Sequence, residues 1–163
     1  MSWPYILLVV VLLFFTFVLL FGPPYLPTMS KQVEVALDLL DLKPGQTLLE
    51  LGSGDGRVLR AGAKRGLYVV GIELNPLLVI FSRIWLIKYR RNTKVIWGSY
   101  WSVSWPQCDG VFTFMMDRYM PKLDKRMNQL NNRSIKLASY AFKIPGKKPL
   151  QQKAGVLLYE YGK

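Results

Sequence analysis

Residues 48–66 read LLELGSGDGRVLRAGAKRG. Three glycines, Gly52, Gly54 and Gly56, fall within five positions, with Glu50 ahead of them and Asp55 among them. The stretch begins in an apolar run, so it reads as a first strand, a glycine turn and the start of a helix. Such turns hold small molecules, and the spacing narrows the choice. A dinucleotide fingerprint needs GxGxxG, and its last position is Arg57 here. A nucleotide P-loop needs GxxxxGK followed by Ser or Thr, which this chain lacks. Asp55 at the helix entrance would also repel a pyrophosphate that wants bare backbone donors.

Short apolar strands alternate with helical stretches on either side of the turn. An amphipathic helix is predicted over 30–42 with Ser30 as its N-cap, then a turn at 43–46 and strand one at 47–51. A helix over 57–64 leads to strand two over 68–72. Asn75 and Pro76 open the next helix as N-cap and first position, and its apolar stretch continues to about Arg90. Further strands are expected over 93–97, 110–114, 134–142 and 155–161, with a helix over 120–130 and a basic loop over 143–153. This alternation predicts an α/β fold, a mostly parallel sheet of about six strands with helices on both faces. The last connection is too short for a helical crossover, so the final strand should pair antiparallel.

Composition sets further bounds. The chain has 163 residues, and residues 5–22 form an uncharged apolar run, YILLVVVLLFFTFVLLFG. About twenty such residues span a bilayer, so a transmembrane helix is expected there rather than a buried core helix. No basic residue precedes the run and no small-residue cleavage site follows it, which argues against a signal peptide. The expected organisation is an anchor over 1–24 and one domain over 25–163. The first basic residue is Lys31, which favours a single-pass orientation with the domain in the cytoplasm. Net charge is +12, from 22 basic and 10 acidic residues, and would hold such a domain against an anionic lipid surface. With no histidine and one cysteine, Cys108, the usual zinc sites, a His-based triad and a disulfide framework are absent, and no metal is expected. Cys108, just before an apolar run, reads as strand packing.

Asp55, unfavourable to phosphate, suits a ligand carrying an ammonium or sulfonium. S-adenosylmethionine is such a ligand. Glu50 and Asp55 can accept from its cationic end, the glycines allow close backbone approach, and Glu73 at the tip of strand two can accept both ribose hydroxyls. Ser99, after strand three, is placed to meet the adenine. All of these lie at the carboxyl ends of strands, where ligands of open α/β sheets bind.

The stretch LLELGSGDGRVLRAGAKRGLYVVGIELNP resembles the first motif and second-strand acid of class I, Rossmann-like S-adenosylmethionine methyltransferases. With PPYLPT, GIELNP…SR and YMPKLDKRM, the chain is similar to one branch. That branch is the small membrane-anchored protein-lysine methyltransferases that modify the c-ring protein of ATP synthase and the adenine nucleotide translocase, and its prokaryotic relatives. The likeness covers roughly residues 23–161. It implies that Gly52, Ser53, Gly54, Gly56, Leu74 and Asn75 join Glu50, Asp55, Glu73 and Ser99 around the cofactor. It also implies that the segment holding Tyr25, Pro27 and Thr28 caps the pocket. Two departures stand out. Ser99 occupies the place of an aspartate, which implies weaker hold on the adenine. FMMDRYMP lacks the Asn/Asp-Pro-Pro-Tyr pattern of DNA amino-methylation.

The activity this implies is N-methylation of a lysine on a membrane protein. The amine must arrive neutral, from a free pKa near about 10.4. Asp117 is the candidate for binding the incoming ammonium, and Tyr25, Tyr100 and Trp101 for walling the channel and supporting a cationic transition state. The rival readings are a helix cap for Asp117 and plain packing for the aromatics. For the whole chain they are a lipid or small-molecule methyltransferase, a non-catalytic cofactor-binding relative, or an RNA binder. No aromatic-and-basic motif of an RNA module is present, which disfavours nucleic acid.

Overall fold

The computed structural model describes residues 2–21, 26–130 and 134–162, with backbone alone over 13–21. Seven strands form one sheet in the order β3-β2-β1-β4-β5-β7-β6. They are β1 (Thr47–Leu51), β2 (Tyr68–Glu73), β3 (Thr93–Trp97), β4 (Gly110–Thr113), β5 (Ile135–Tyr140), β6 (Gln151–Lys153) and β7 (Val156–Tyr161). The first five run parallel. As expected, the last strand is antiparallel: β7 lies between β5 and β6, with Ala138 opposite Leu158 and Gln152 opposite Leu157.

Side chains of a strand alternate between faces, and this divides the core. Leu48 packs with Val33, Leu37 and Leu40 of α2 (Ser30–Leu40), Leu59 of α3 (Arg57–Lys64) and Val79 of α4 (Pro76–Trp85). Its neighbour Leu49 faces the other side, with Met120, Leu123 and Met127 of α5 (Met120–Asn128). Helices thus cover both faces. Cys108 is buried at 2% exposure in that second cluster, among apolar neighbours.

Four expectations need correction. The sheet has seven strands, because Gln151–Lys153 turns back on Val156 through Ala154 and Gly155, both at positive φ (47° and 78°). A two-residue hairpin turn needs that geometry twice, and an alanine in the first place conceals it. Ser30 is the first helical residue rather than the N-cap; Met29 holds the cap position, without a side-chain cap bond. α4 stops at Trp85, followed by a 3-10 turn over Ile87–Tyr89. α5 ends at Asn128. Asn75 does cap α4, its Oδ1 accepting from Leu77 N at 2.9 Å and, at 3.4 Å, from Leu78 N.

A helix α1 runs Trp3–Phe21. Among the described residues no helix is long and apolar enough to cross a membrane; the side chains of 13–21 and the expected boundary near residue 24 lie outside them.

Candidate functional site

The strand order reverses between β1 and β4, and a crevice opens there at the carboxyl ends of the strands. This is where the topology of an open α/β sheet places a ligand. It is a cavity of about 350 Å³, within the range of small-molecule sites.

The β1–α3 turn forms its floor. Gly52, Gly54 and Gly56 all have positive φ (83°, 52° and 82°), a backbone that side chains with a Cβ rarely adopt. Gly52 N and Ser53 N donate to Ile72 O at 2.9 and 3.1 Å, fastening the turn to β2. Glu73 completes the fastening. Its Oε2 accepts from Gly54 N and its Oε1 from Asn75 N, both at 2.8 Å. Glu50, Gly52, Ser53, Gly54, Asp55, Glu73, Leu74, Asn75 and Ser99 all line the cavity. Gly56 does not line it; it is the αL cap of α3 and packs so closely that a Cβ would lie 3.0 Å from that of Ser82.

Glu50 is 4% exposed, and its Oε2 has no hydrogen-bond partner, nor has the buried Ser53 Oγ. Burial pushes the Glu50 carboxyl well above its ordinary value of 4.5. The Asp55 and Glu73 charges push the same way, against Arg57 and the Leu59 amide. A buried acceptor without a partner is costly, and a donor in the cavity would satisfy it. Asp55 is differently placed. Its carboxylate pairs with Arg57 at 2.7 Å, and Arg57 Nη1 also donates to Thr28 O at 2.9 Å. The arginine that breaks the dinucleotide pattern therefore ties the turn to the segment before α2.

That segment forms the roof: Leu26, Pro27 and Thr28 line the cavity, and Thr28 is buried. Tyr25 lies outside the described residues. Ser99 Oγ accepts from Trp101 N at 3.2 Å; its own hydrogen and second lone pair stay available to a ligand. Tyr100 and Trp101 line the cavity and meet edge to face at 4.9 Å. Tyr100 is pushed up to about 12, chiefly by burial, so its hydroxyl stays protonated near neutrality. Asp117 opens an exposed 3-10 turn, Asp117–Tyr119. Its neighbours Met116 and Tyr119 line the cavity, whereas Asp117 itself does not.

The far wall escaped the sequence reading. Phe114, Met115, Tyr119 and Phe142 line it. Phe114 stacks on Phe142 with centroids 6.4 Å apart and tilts against Tyr140 at 4.7 Å. Parallel pairing of β4 with β5, Thr113 opposite Ser139, brings these rings together from 28 residues apart. The one sequence signal was position: FMM, residues 114–116, directly follows β4, at the same end of the sheet as the glycine turn. The site thus joins an acidic half, Glu50, Asp55 and Glu73, to an aromatic half without an acid.

Known proteins share the fold and the family. The model of the ANTKMT methyltransferase domain matches residues 50–151. The lysine N-methyltransferase of the ATP synthase c-ring protein from Mus musculus is 39% identical over 106 residues, which are 64% of this chain and 42% of that protein. Adenine nucleotide translocase lysine N-methyltransferase of Mus musculus is 31% identical over 130 residues, 78% of this chain and 56% of that protein. The chain spans about half the length of the curated relatives it matches. Among solved structures, an RNA methyltransferase from Salinibacter ruber in complex with S-adenosyl-L-homocysteine superposes with a TM-score of 0.76. It covers 83% of this chain and 92% of its own at 24% identity, a likeness of fold. With the first motif, the second-strand acid and the sheet order all in place, the chain belongs to the ANTKMT methyltransferase-domain family.

Proposed function

We propose that this chain is an S-adenosylmethionine-dependent methyltransferase that N-methylates a lysine of a membrane protein. The observation that carries the reading is the division of the cavity into a buried acidic half and an aromatic half. The donor set fits the cofactor: the unpartnered Glu50 Oε2 suits an ammonium, and the remaining lone pairs of Glu73 suit vicinal hydroxyls. When bound, S-adenosylmethionine supplies a methyl on sulfur that a neutral amine takes by in-line displacement.

This chain's residues hold and orient. Asp55, Gly52 and Gly54 support the cationic end, Glu73 the ribose, and Leu74, Asn75 and Ser99 the adenine side, with Thr28 and Tyr25 as the cap. Phe114, Tyr119, Phe142, Tyr100 and Trp101 exclude water from the acceptor channel and face a developing cation with aromatic rings. The protonated Tyr100 is no base, so the lysine proton leaves to water. The exposed Asp117, next to Met116 of the lining, draws the incoming ammonium.

The anchor is proposed over 1–24 and the catalytic domain over 25–163. The supports are the uncharged run of 5–22, the helical backbone of Trp3–Phe21 and the relatives, whose names place their substrates in ATP synthase and a translocase. The absence of basic residues before Lys31 supports a cytoplasmic domain.

The test incubates the full chain in native membranes with methyl-labelled S-adenosylmethionine and locates the label by mass spectrometry. Label on a lysine of a membrane protein, lost in Glu73→Ala, is expected. Label in the lipid extract or in small molecules instead would replace this reading with the corresponding rival. No transfer together with cofactor binding would leave a non-catalytic relative.

A further inference from the structure

α4 carries its side chains the wrong way round for a solvated helix. Val79 and Ser82 face the core, as does Leu86 just beyond. The opposite stripe, Leu77, Ile80, Phe81 and Ile84, follows the i, i+3, i+4, i+7 spacing of one face and should be polar. Instead these four are 53–67% exposed, and Ile87 in the following turn adds a fifth. Trp85 and Trp97 lie in the same region, both exposed. α4 packs on β3, the edge of the sheet, so nothing in the described fold covers this face. The described side chains of α1, from Trp3 to Leu12, are themselves exposed and do not cover it.

The chain that carries the patch bears charge of one sign. From Leu74 to Cys108 there is no acidic residue, while Arg83, Lys88, Arg90, Arg91 and Lys94 are all exposed. Arg60 adds its guanidinium over the Trp85 ring at 4.8 Å. An apolar stripe with tryptophans in a basic stretch of chain is the pattern of a surface that enters the headgroup region of an anionic bilayer. Solvated monomer surfaces rarely keep such a patch.

We infer that the outer face of α4 and its following turn is a second membrane contact, seated on anionic lipid. The inference rests on the membrane setting proposed above and gives the lipid attraction of the basic chain a definite face. It also orients the site. Asn75 and Leu78 of the α4 entrance line the cavity, and so do Leu26, Pro27 and Thr28 on the chain leaving α1. Two elements directed at the membrane therefore converge on one rim, which would open at the headgroup level where a lysine of a membrane protein lies.

Hydrogen exchange on the full chain tests this. The chain is compared in detergent, with phosphatidylcholine vesicles, and with vesicles containing about a third phosphatidylserine. Exchange over residues 77–91 should slow by roughly tenfold with the anionic vesicles. The slowing should be lost in the double variant Ile84→Glu, Ile87→Glu, while exchange in β1 and β4 stays as in the parent and shows the variant folded. Unchanged exchange over 77–91 with anionic vesicles would overturn the inference. So would equal slowing with the phosphatidylcholine and the anionic vesicles, which would take the basic residues out of the contact. Failure of the anchor reads out separately, as failure to float with neutral vesicles, and leaves the anionic-lipid arm interpretable.

Discussion

Gly54 N donates to Glu73 Oε2 at 2.8 Å, so the acid at the end of β2 holds the middle of the turn that follows β1. The other oxygen takes Asn75 N at the same distance and steadies the start of α4. One carboxylate joins three segments before any ligand arrives. Its remaining lone pairs are what a diol in the cavity would find. Glu73 is therefore a structural clasp and a binding group at once, and its substitution should reveal both.

Glu73→Gln keeps the size but turns an NH2 toward one of two backbone donors. Hydrogen bonds to a charged group contribute about 1.5–3 kcal/mol. Cofactor affinity by calorimetry should fall roughly ten- to hundredfold, with a lower melting temperature. An unchanged dissociation constant would remove Glu73 from the cofactor site.

Gly71, in mid-β2, should matter as much as the turn glycines. A Cβ there would lie 2.5 Å from Ser53 Cβ and 2.7 Å from Leu59 Cδ1. Gly71→Ala must push the turn away from the sheet, at a cost of about 1–3 kcal/mol for overpacking. Thermal melting should show that loss, and cofactor binding should weaken with it. Gly146→Ala meets nothing within 4 Å, so its positive φ of 71° should cost some stability while binding stays intact.

The contrast between Gly71 and Gly54 shows where the sequence was readable. β1, the glycine turn and Glu73 follow from local pattern, because an apolar run, a spacing and a strand-end acid act within a few residues of one another. What escaped depends on distant pairing. Phe114 meets Phe142 only through the β4–β5 register. Gly71 meets Ser53 only because the turn folds back over β2. Arg57 read as a missing glycine, whereas its reach to Thr28 O needs the path of the chain before α2. The end of α4 was hidden because Leu86, Ile87 and Tyr89 continue an apolar pattern that the backbone does not follow.

Phe114 and Asp117 should separate in kinetics. An aromatic face beside a cation contributes about 0.5–2 kcal/mol. Phe114→Ala should therefore lower kcat/KM by roughly three- to thirtyfold, largely through kcat. Asp117 is exposed, next in the chain to Met116 of the cavity lining, and a single exposed charge attracts weakly through water. Asp117→Asn should raise the KM for the lysine substrate about two- to fivefold and leave kcat in place. A collapse of kcat in Asp117→Asn would put that carboxylate at the reacting amine instead.

Glu50 links the cavity to pH. Burial first, then the charges of Asp55 and Glu73, hold its carboxyl well above 4.5 in the folded chain without ligand. The native state then keeps a proton that the unfolded chain has already released, so stability from this group falls as pH rises from about 4.5 through the raised folded value. A cation beside Oε2 reverses the preference and favours the carboxylate. Binding must therefore release a proton below the raised value, and affinity must climb with pH across the same window. Calorimetry between about pH 5 and 8, in two buffers of different ionisation heat, measures that proton directly. Glu50→Gln should flatten the climb, abolish the release and remove the fall in ligand-free stability. Proton uptake on binding, or a release that survives in Glu50→Gln, would mean that the ammonium is held elsewhere. Asp55 is the next acceptor to examine, and it would first have to give up part of its pairing with Arg57.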